Sequence, residues 1–169
     1  MYKICKTDQS IQRQKEFQKM LLSMMEKQQY QDITVTALCA KMHAPRKAFY
    51  RYFDTLEDLL NSIIDEVLME SYLFLEVHAE LSKYFAYWSK KKYLLDILEK
   101  NGLSQILVTR SYERIFAVEQ ITEIKRKEIL FAGYVSALMT MLIIWHHSGM
   151  KQSSEEMAAM VDQVFRGRL

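Results

Sequence analysis

The sequence predicts an all-α fold in two parts. Residues 1–54 form a three-helix N-terminal domain built on a helix-turn-helix, and residues 55–169 form a helical C-terminal domain. Three observations predict it. One proline and four glycines in 169 residues leave little turn chemistry, and β-hairpins require more of it. Apolar residues recur at spacings of three and four, the period of a helix with one buried face. The stretch Thr34–Phe53, TVTALCAKMHAPRKAFYRYF, reads as two short helices joined by a tight turn.

In chain order, residues 1–9 read as a loose arm carrying Lys3 and Lys6. A first helix runs from Ser10 to Gln29, with Phe17, Met20, Leu21 and Met24 as its apolar stripe. Tyr30, Gln31, Asp32 and Ile33 connect it to a second helix, from Thr34 to about Met42. Thr34 is a good N-cap, because its hydroxyl accepts from an otherwise unpaired first-turn amide. Val35, Leu38 and Cys39 share its inner face. His43-Ala44-Pro45 breaks the pattern. His is enriched at positive φ, and Pro45 suits the first position of a following helix. That third helix, Arg46–Phe53, buries Phe49 and Phe53 and turns Arg46, Lys47, Tyr50, Arg51 and Tyr52 outward.

Thr55 caps a fourth helix, with Glu57 and Asp58 in its first turn complementing the helix dipole. Leu60, Ile63, Ile64, Val67 and Leu68 form its stripe. Ser82–Lys100 reads as one helix bent near residues 89–92, stopped by Asn101-Gly102. A further helix spans Leu103–Val118. Ile121–Ser148 follows, closed by Gly149. Ser153-x-x-Glu156 is a capping box that opens the last helix, whose buried side is Met157, Met160, Val161, Val164 and Phe165.

Charge assigns a class of partner to the helix-turn-helix. Thr34–Phe53 holds four basic residues (Lys41, Arg46, Lys47, Arg51) and no acidic one, within a chain of net charge +2. Phosphate binding needs such a face. A helix-turn-helix sets its second helix in the DNA major groove. Residues 1–60 carry a net +3 and the remainder −1, the asymmetry of a nucleic-acid module joined to a neutral domain.

Thr34-Val35-Thr36-x-Leu38-Cys39, then Phe49-Tyr50-Arg51-Tyr52-Phe53, then Thr55-x-Glu57-x-Leu59-Leu60 resembles the N-terminal domain of the TetR/AcrR family of transcriptional regulators. The resemblance covers roughly residues 10–65, and Phe-Tyr-x-x-Phe is its most specific part. It implies a homodimer, most often a repressor, with a helical C-terminal domain for ligand binding and dimerisation. It implies that Thr34, Tyr50 and Tyr52 contact phosphates, and that Arg46, Lys47 and Ala48 lie near base edges. Thr36 and Arg51 complete the expected DNA-binding set. Three positions depart from the pattern. His43 stands where the family usually has Gly, Pro45 where it has a capping Ser or Thr, and Leu56 where it has Lys.

In the C-terminal part, Tyr84, Phe85, Trp88, Tyr112, Phe116 and Met139 are the candidate lining of a small-molecule pocket, since pockets are mostly apolar with a few polar groups. One competing reading is that these aromatics simply fill the core, and a third is that the domain docks a protein partner instead of a small molecule. Tyr134, Leu138, Met141, Leu142, Trp145, Met157, Val161, Val164 and Phe165 are the candidate dimer interface, formed by the last two helices of each subunit.

Other classes fit less well. Ile129–Met150 contains no Asp, Glu, Lys or Arg over 22 residues, long enough to span a bilayer. It also holds Tyr134, Ser136, Thr140, His146, His147 and Ser148, and a helix apolar all round serves equally as a core helix. The expectation is a buried core or dimer helix and no membrane. Two cysteines build no disulfide framework. Cys39 reads as a small apolar filler, and the chain as cytoplasmic, without a secretory signal. Adjacent His146 and His147 point in different directions on a helix and chelate poorly. No metal, no cofactor and no catalytic motif is expected.

Overall fold

Three phenylalanine rings meet at the centre of the N-terminal unit. Phe17, Phe49 and Phe53 are each fully buried. Phe17 meets Phe49 edge to face at 5.6 Å and Phe53 at 6.2 Å, while Phe49 and Phe53 lie 5.5 Å apart. The computed structural model describes residues 2–3, 7–76, 80–117 and 126–165, leaving aside the side chains of 76, 115–117 and 126–128. The described residues form nine α-helices and no strand. They fall into two compact units, one of Met1–Glu66 with Asp96–Leu103 and one of Val67–Leu95 with Ser104–Leu169.

In the first unit, α1 spans Asp8–Met25. It begins before the expected Ser10 because Thr7 and Ser10 cap each other, each N–H donating to the other's hydroxyl at 3.3 Å. It stops four residues before the expected Gln29. The carbonyls at its end and C-cap find partners 76 and 74 residues away: Asn101 Nδ2 donates to the Met25 carbonyl at 3.1 Å, and the Lys100 ammonium donates to the Glu26 carbonyl. Asn101 Oδ1 then accepts from the Tyr30 N–H at 2.6 Å, fixing the 3-10 turn Tyr30–Asp32.

Helix α2 spans Val35–Lys41, and the Thr34 hydroxyl accepts from the Ala37 N–H at 3.1 Å, as its type predicts. His43 has φ 49°. Helix α3 is a single turn, Arg46–Phe49, and Pro45 is its N-cap rather than its first helical residue, with ψ at 146°. The expected helix through Phe53 is instead a turn over residues 50–52. Phe53 still donates its N–H to the Phe49 carbonyl at 3.1 Å, so both rings share the inner face.

Helix α4 spans Leu56–Glu76, and Thr55 accepts from the Asp58 N–H at 3.0 Å. All five residues of its expected stripe are buried. The expected domain boundary at 54/55 differs from the division at 66/67. The first half of α4 packs into the N-terminal unit through Leu59, Leu60, Ile63 and Ile64. Gln18 of α1 donates to Ser62 at 3.1 Å, and Lys15 pairs with Glu66. The arm is not loose at its start, because Tyr2 and Lys3 bond to this unit. Lys6 lies outside the described residues.

In the second unit, the helix expected to bend near residues 89–92 is divided there, into α5 (Leu81–Lys90) and α6 (Lys92–Lys100), with Lys91 between them. The latter continues into the first unit and ends as expected. Gly102 adopts φ 67°, where a side chain is strained. Gly102 donates its N–H to the Glu99 carbonyl at 2.9 Å, and Leu103 to the Leu98 carbonyl at 2.8 Å. Helix α7 is Ile106–Ala117, α8 is Arg126–His147 and α9 is Ser154–Phe165. The expected helix ends between 118 and 125 lie outside the described residues. The capping box is present: Ser153 N–H donates to Glu156 at 2.7 Å and Glu156 N–H to Ser153 at 3.2 Å.

Helix α5 packs on α9, and α7 on α8. Ile129–His147 of α8 is long and apolar enough to cross a membrane, and just under half of its most apolar stretch is buried in the protein's own packing.

Two expected outcomes follow from this packing. Phe49→Ala opens a cavity at the ring contact and lowers unfolding free energy by ~3–5 kcal/mol, measured by chemical denaturation. The Tyr30 phenol is pushed up to about 12 by burial and by the nearby Glu57 charge, against about 10 in an unfolded chain. The native state therefore holds this proton more tightly. Its contribution is complete below about pH 10 and is lost as pH rises towards about 12. Tyr30→Phe should flatten that alkaline decline, and equal slopes for the two proteins would contradict the assignment.

Candidate nucleic-acid interface

The aromatic cluster carries an exposed face on its outer side. Helix α2 packs on α1 and α3 on α2, so the position of α3 follows from the buried side of the unit. Phe49 points in, and its neighbours on the one-turn helix point out. Arg46 and Lys47 are exposed, and Ala48 is half-buried. Tyr50 is 41% exposed and rests edge-on against the Phe49 ring at 5.4 Å. Arg51 is exposed. Tyr52 is half-buried, its ring 6.3 Å from Phe17.

These side chains are partly ordered by one another. The Arg46 guanidinium donates to the Tyr50 hydroxyl at 3.1 Å and lies 5.8 Å from the centre of its ring. This bond raises the Arg46 pKa further. A guanidinium has five N–H donors, so this contact leaves Arg46 capacity for phosphate or base oxygens. Thr34 and Thr36 are both exposed at the start of α2. Thr34 already caps the helix, and its hydroxyl retains a donor hydrogen.

A cleft of about 480 Å³ lies beside this face, lined by Thr7, Gln9, Ser10, Gln12, Arg13 and Glu16 of the α1 end and by Ala48, Arg51 and Tyr52. Arg13 pairs with Glu16 at 2.6 Å. The hydrogen bond from Arg13 holds the Glu16 carboxyl below its ordinary range, so Glu16 stays ionised and offsets Arg13. Among the described residues that line the cleft, Arg51 is the charged one outside this pair. The α1 residues escaped the sequence reading. Their only signal is the Thr7-x-x-Ser10 cap, which marks a helix start and says nothing of what that start faces.

Of the candidate pocket residues, four come together. Tyr84, Phe85, Trp88 and Met139 are fully buried. Tyr84 lies 5.3 Å from Phe85 and 6.4 Å from Trp88, and its hydroxyl meets Met139 Sδ at 3.9 Å. Burial pushes the Tyr84 phenol well above its usual range. Tyr112 does not join them, being 55% exposed on α7. The Phe116 side chain lies outside the described residues.

The candidate dimer residues divide in two. Leu138, Leu142, Trp145, Met157 and Val161 are buried within the protomer, with Trp145 edge-on to Phe85 at 5.6 Å. Tyr134 and Met141 are half-buried, and Val164 and Phe165 are exposed. Tyr134 stacks edge to face on Phe165 at 4.8 Å. Ile144 and Met160, also exposed, add apolar surface on α8 and α9.

Residues 92–167 match the TetR-type family model described as transcriptional regulator C-terminal region. No curated protein and no solved structure gave a match. The family match falls on the half of the chain that the N-terminal motif does not cover.

A DNA-binding role for this face carries two separable expectations. Arg51→Ala should weaken binding about equally for all DNA sequences, since phosphate contacts position without specifying. Lys47→Ala should change preference at one base position by ~1–3 kcal/mol if it reads a base edge. Competition assays over single-base operator variants separate them. An unchanged profile would assign Lys47 to the backbone.

Proposed function

We propose that this chain, a TetR-family transcriptional regulator by its C-terminal region, binds operator DNA sequence-specifically as a homodimer and acts as a repressor released by a small-molecule ligand. The observation that carries the DNA-binding part is the outer face of α2, α3 and the turn that follows α3. Arg46, Lys47 and Arg51 are exposed there without an acidic residue between Thr34 and Phe53. Thr34, Tyr50, Arg51 and Tyr52 serve phosphates, Arg46, Lys47 and Ala48 lie towards base edges, and Thr36 completes the DNA-binding set. Residues 1–54 carry DNA binding, and 55–169 carry ligand binding and dimerisation. The two recognition helices enter successive major grooves about 34–36 Å apart on a pseudo-palindromic site.

Bound protein blocks transcription. Release requires a ligand that binds the released state better than the DNA-bound one. The exposed Ile144, Met160, Val164 and Phe165 supply apolar surface for a partner subunit. On this reading the protein acts in the cytoplasm, and no membrane span, cofactor, metal or catalytic step is expected of it.

A second reading has an observation of its own. Tyr84, Phe85, Trp88 and Met139 are fully buried, and their rings and the Met139 sulfur contact one another, as residues that fill a core do. This supports the reading in which these aromatics fill the core, and it leaves a protein partner as the alternative to a small molecule. Thermal stabilisation across a metabolite panel distinguishes the two, because a ligand of the native state raises apparent stability.

The DNA-binding proposal is tested by selection from a random duplex library at near-physiological salt. It predicts enrichment of an inverted repeat. Tight but unselective binding that collapses with added salt would reduce the face to an electrostatic patch.

A further inference from the structure

Tyr2 and Lys3 make bonds that no part of the helix-turn-helix motif calls for. The Tyr2 hydroxyl donates to Asp65 Oδ2 at 2.6 Å. Asp65 lies on α4 and is only 4% exposed. A carboxylate so enclosed is costly unless hydrogen-bonded, which makes it a firm anchor for a donor. The Lys3 N–H donates to the Tyr52 carbonyl at 2.9 Å, and its ammonium to the Tyr50 carbonyl at 3.4 Å. Gln14 of α1 donates to the Lys3 carbonyl at 2.8 Å. Two consecutive residues thus join α4, α1 and the turn that presents Tyr50, Arg51 and Tyr52.

That turn has need of support. Helix α3 ends at Phe49, after a single turn, and the carbonyls past a helix end lack partners within the helix. Lys3 supplies donors to two of them. A segment already ordered before it meets DNA avoids the ordering cost at binding.

We infer that Tyr2 and Lys3 are positioning residues for DNA binding: a strap, anchored on Asp65, that holds the Tyr50–Tyr52 turn in its DNA-contacting geometry. This rests on the DNA-binding reading of the preceding section. The strap itself touches no base. It acts through Tyr50 and Tyr52, and it gives α4 a hydrogen-bonded route to the turn alongside the packing of the aromatic core.

Tyr2→Phe removes the hydroxyl and keeps the ring. With the selected operator, its Kd should rise about 5-fold, the net worth of one hydrogen bond. The salt slope should stay that of the wild type, because no phosphate contact is lost. In amide spectra of the DNA-free protein, the Lys3 N–H should lose exchange protection and the Tyr50 and Tyr52 signals should move. Asp65→Ala should weaken binding to a similar degree, and the double variant no more than either single one.

A residue with a merely structural role would lower the unfolding midpoint and leave operator affinity unchanged. Wild-type affinity in Tyr2→Phe, with unmoved Tyr50 and Tyr52 signals, would overturn the strap while leaving the DNA-binding reading intact. Absence of selective binding by the wild-type protein would overturn both.

Discussion

The edge-to-face contact of Phe17 with Phe49 and Phe53 is the constraint on which the N-terminal unit depends. Phe17 lies on the long α1, while Phe49 and Phe53 lie on and just beyond a helix of one turn. A helix that short has no stability of its own, because nucleation is unfavourable and little propagation follows. The segment holds its shape because its two rings are buried against α1. Everything on its outer side inherits that placement. Arg46 and Lys47 are exposed because Phe49 is not, and Tyr50 stands on the Phe49 ring. The cleft beside Arg51 likewise exists because α1 is fixed against this segment.

Much of this was legible in the sequence, for local reasons. Thr34, Thr55 and Ser153-x-x-Glu156 announce helix starts through side chains that reach amides three residues away, and the structure shows those bonds. His43 at a break in the pattern foretold the positive φ, and Gly102 the end of α6. The less legible features have distant partners. The end of α1 is set by Asn101 and Lys100, which nothing near Met25 encodes. The assignment of the first half of α4 to the N-terminal unit depends on Gln18 and Lys15. The docking of Tyr2 depends on Asp65.

The expected recognition helix was too long for a related reason. Apolar spacing registers that Phe49 and Phe53 share a face, and a helix and a series of tight turns satisfy that spacing equally. Spacing also does not distinguish an aromatic that lines a cavity from one that fills a core, which is why Tyr84 and Trp88 supported two readings. The same ambiguity applies to α8 and α9. Leu138, Trp145 and Val161 are consumed by the protomer's own packing, while Val164 and Phe165 remain outside. The two lines of family likeness are complementary in this respect. The Phe-Tyr-x-x-Phe motif lies in the first third of the chain and the matched C-terminal region spans residues 92–167, so neither borrows residues from the other.

The central claim is that the outer face of α2, α3 and the turn that follows α3 meets DNA. Amide chemical-shift mapping of the isotope-labelled protein, titrated with a duplex carrying its selected site, tests it most directly. The account predicts the largest shifts within Thr34–Phe53, with further ones along the cleft residues of α1, and little change on α7. Shifts concentrated elsewhere, or none within that segment at saturating duplex, would contradict it.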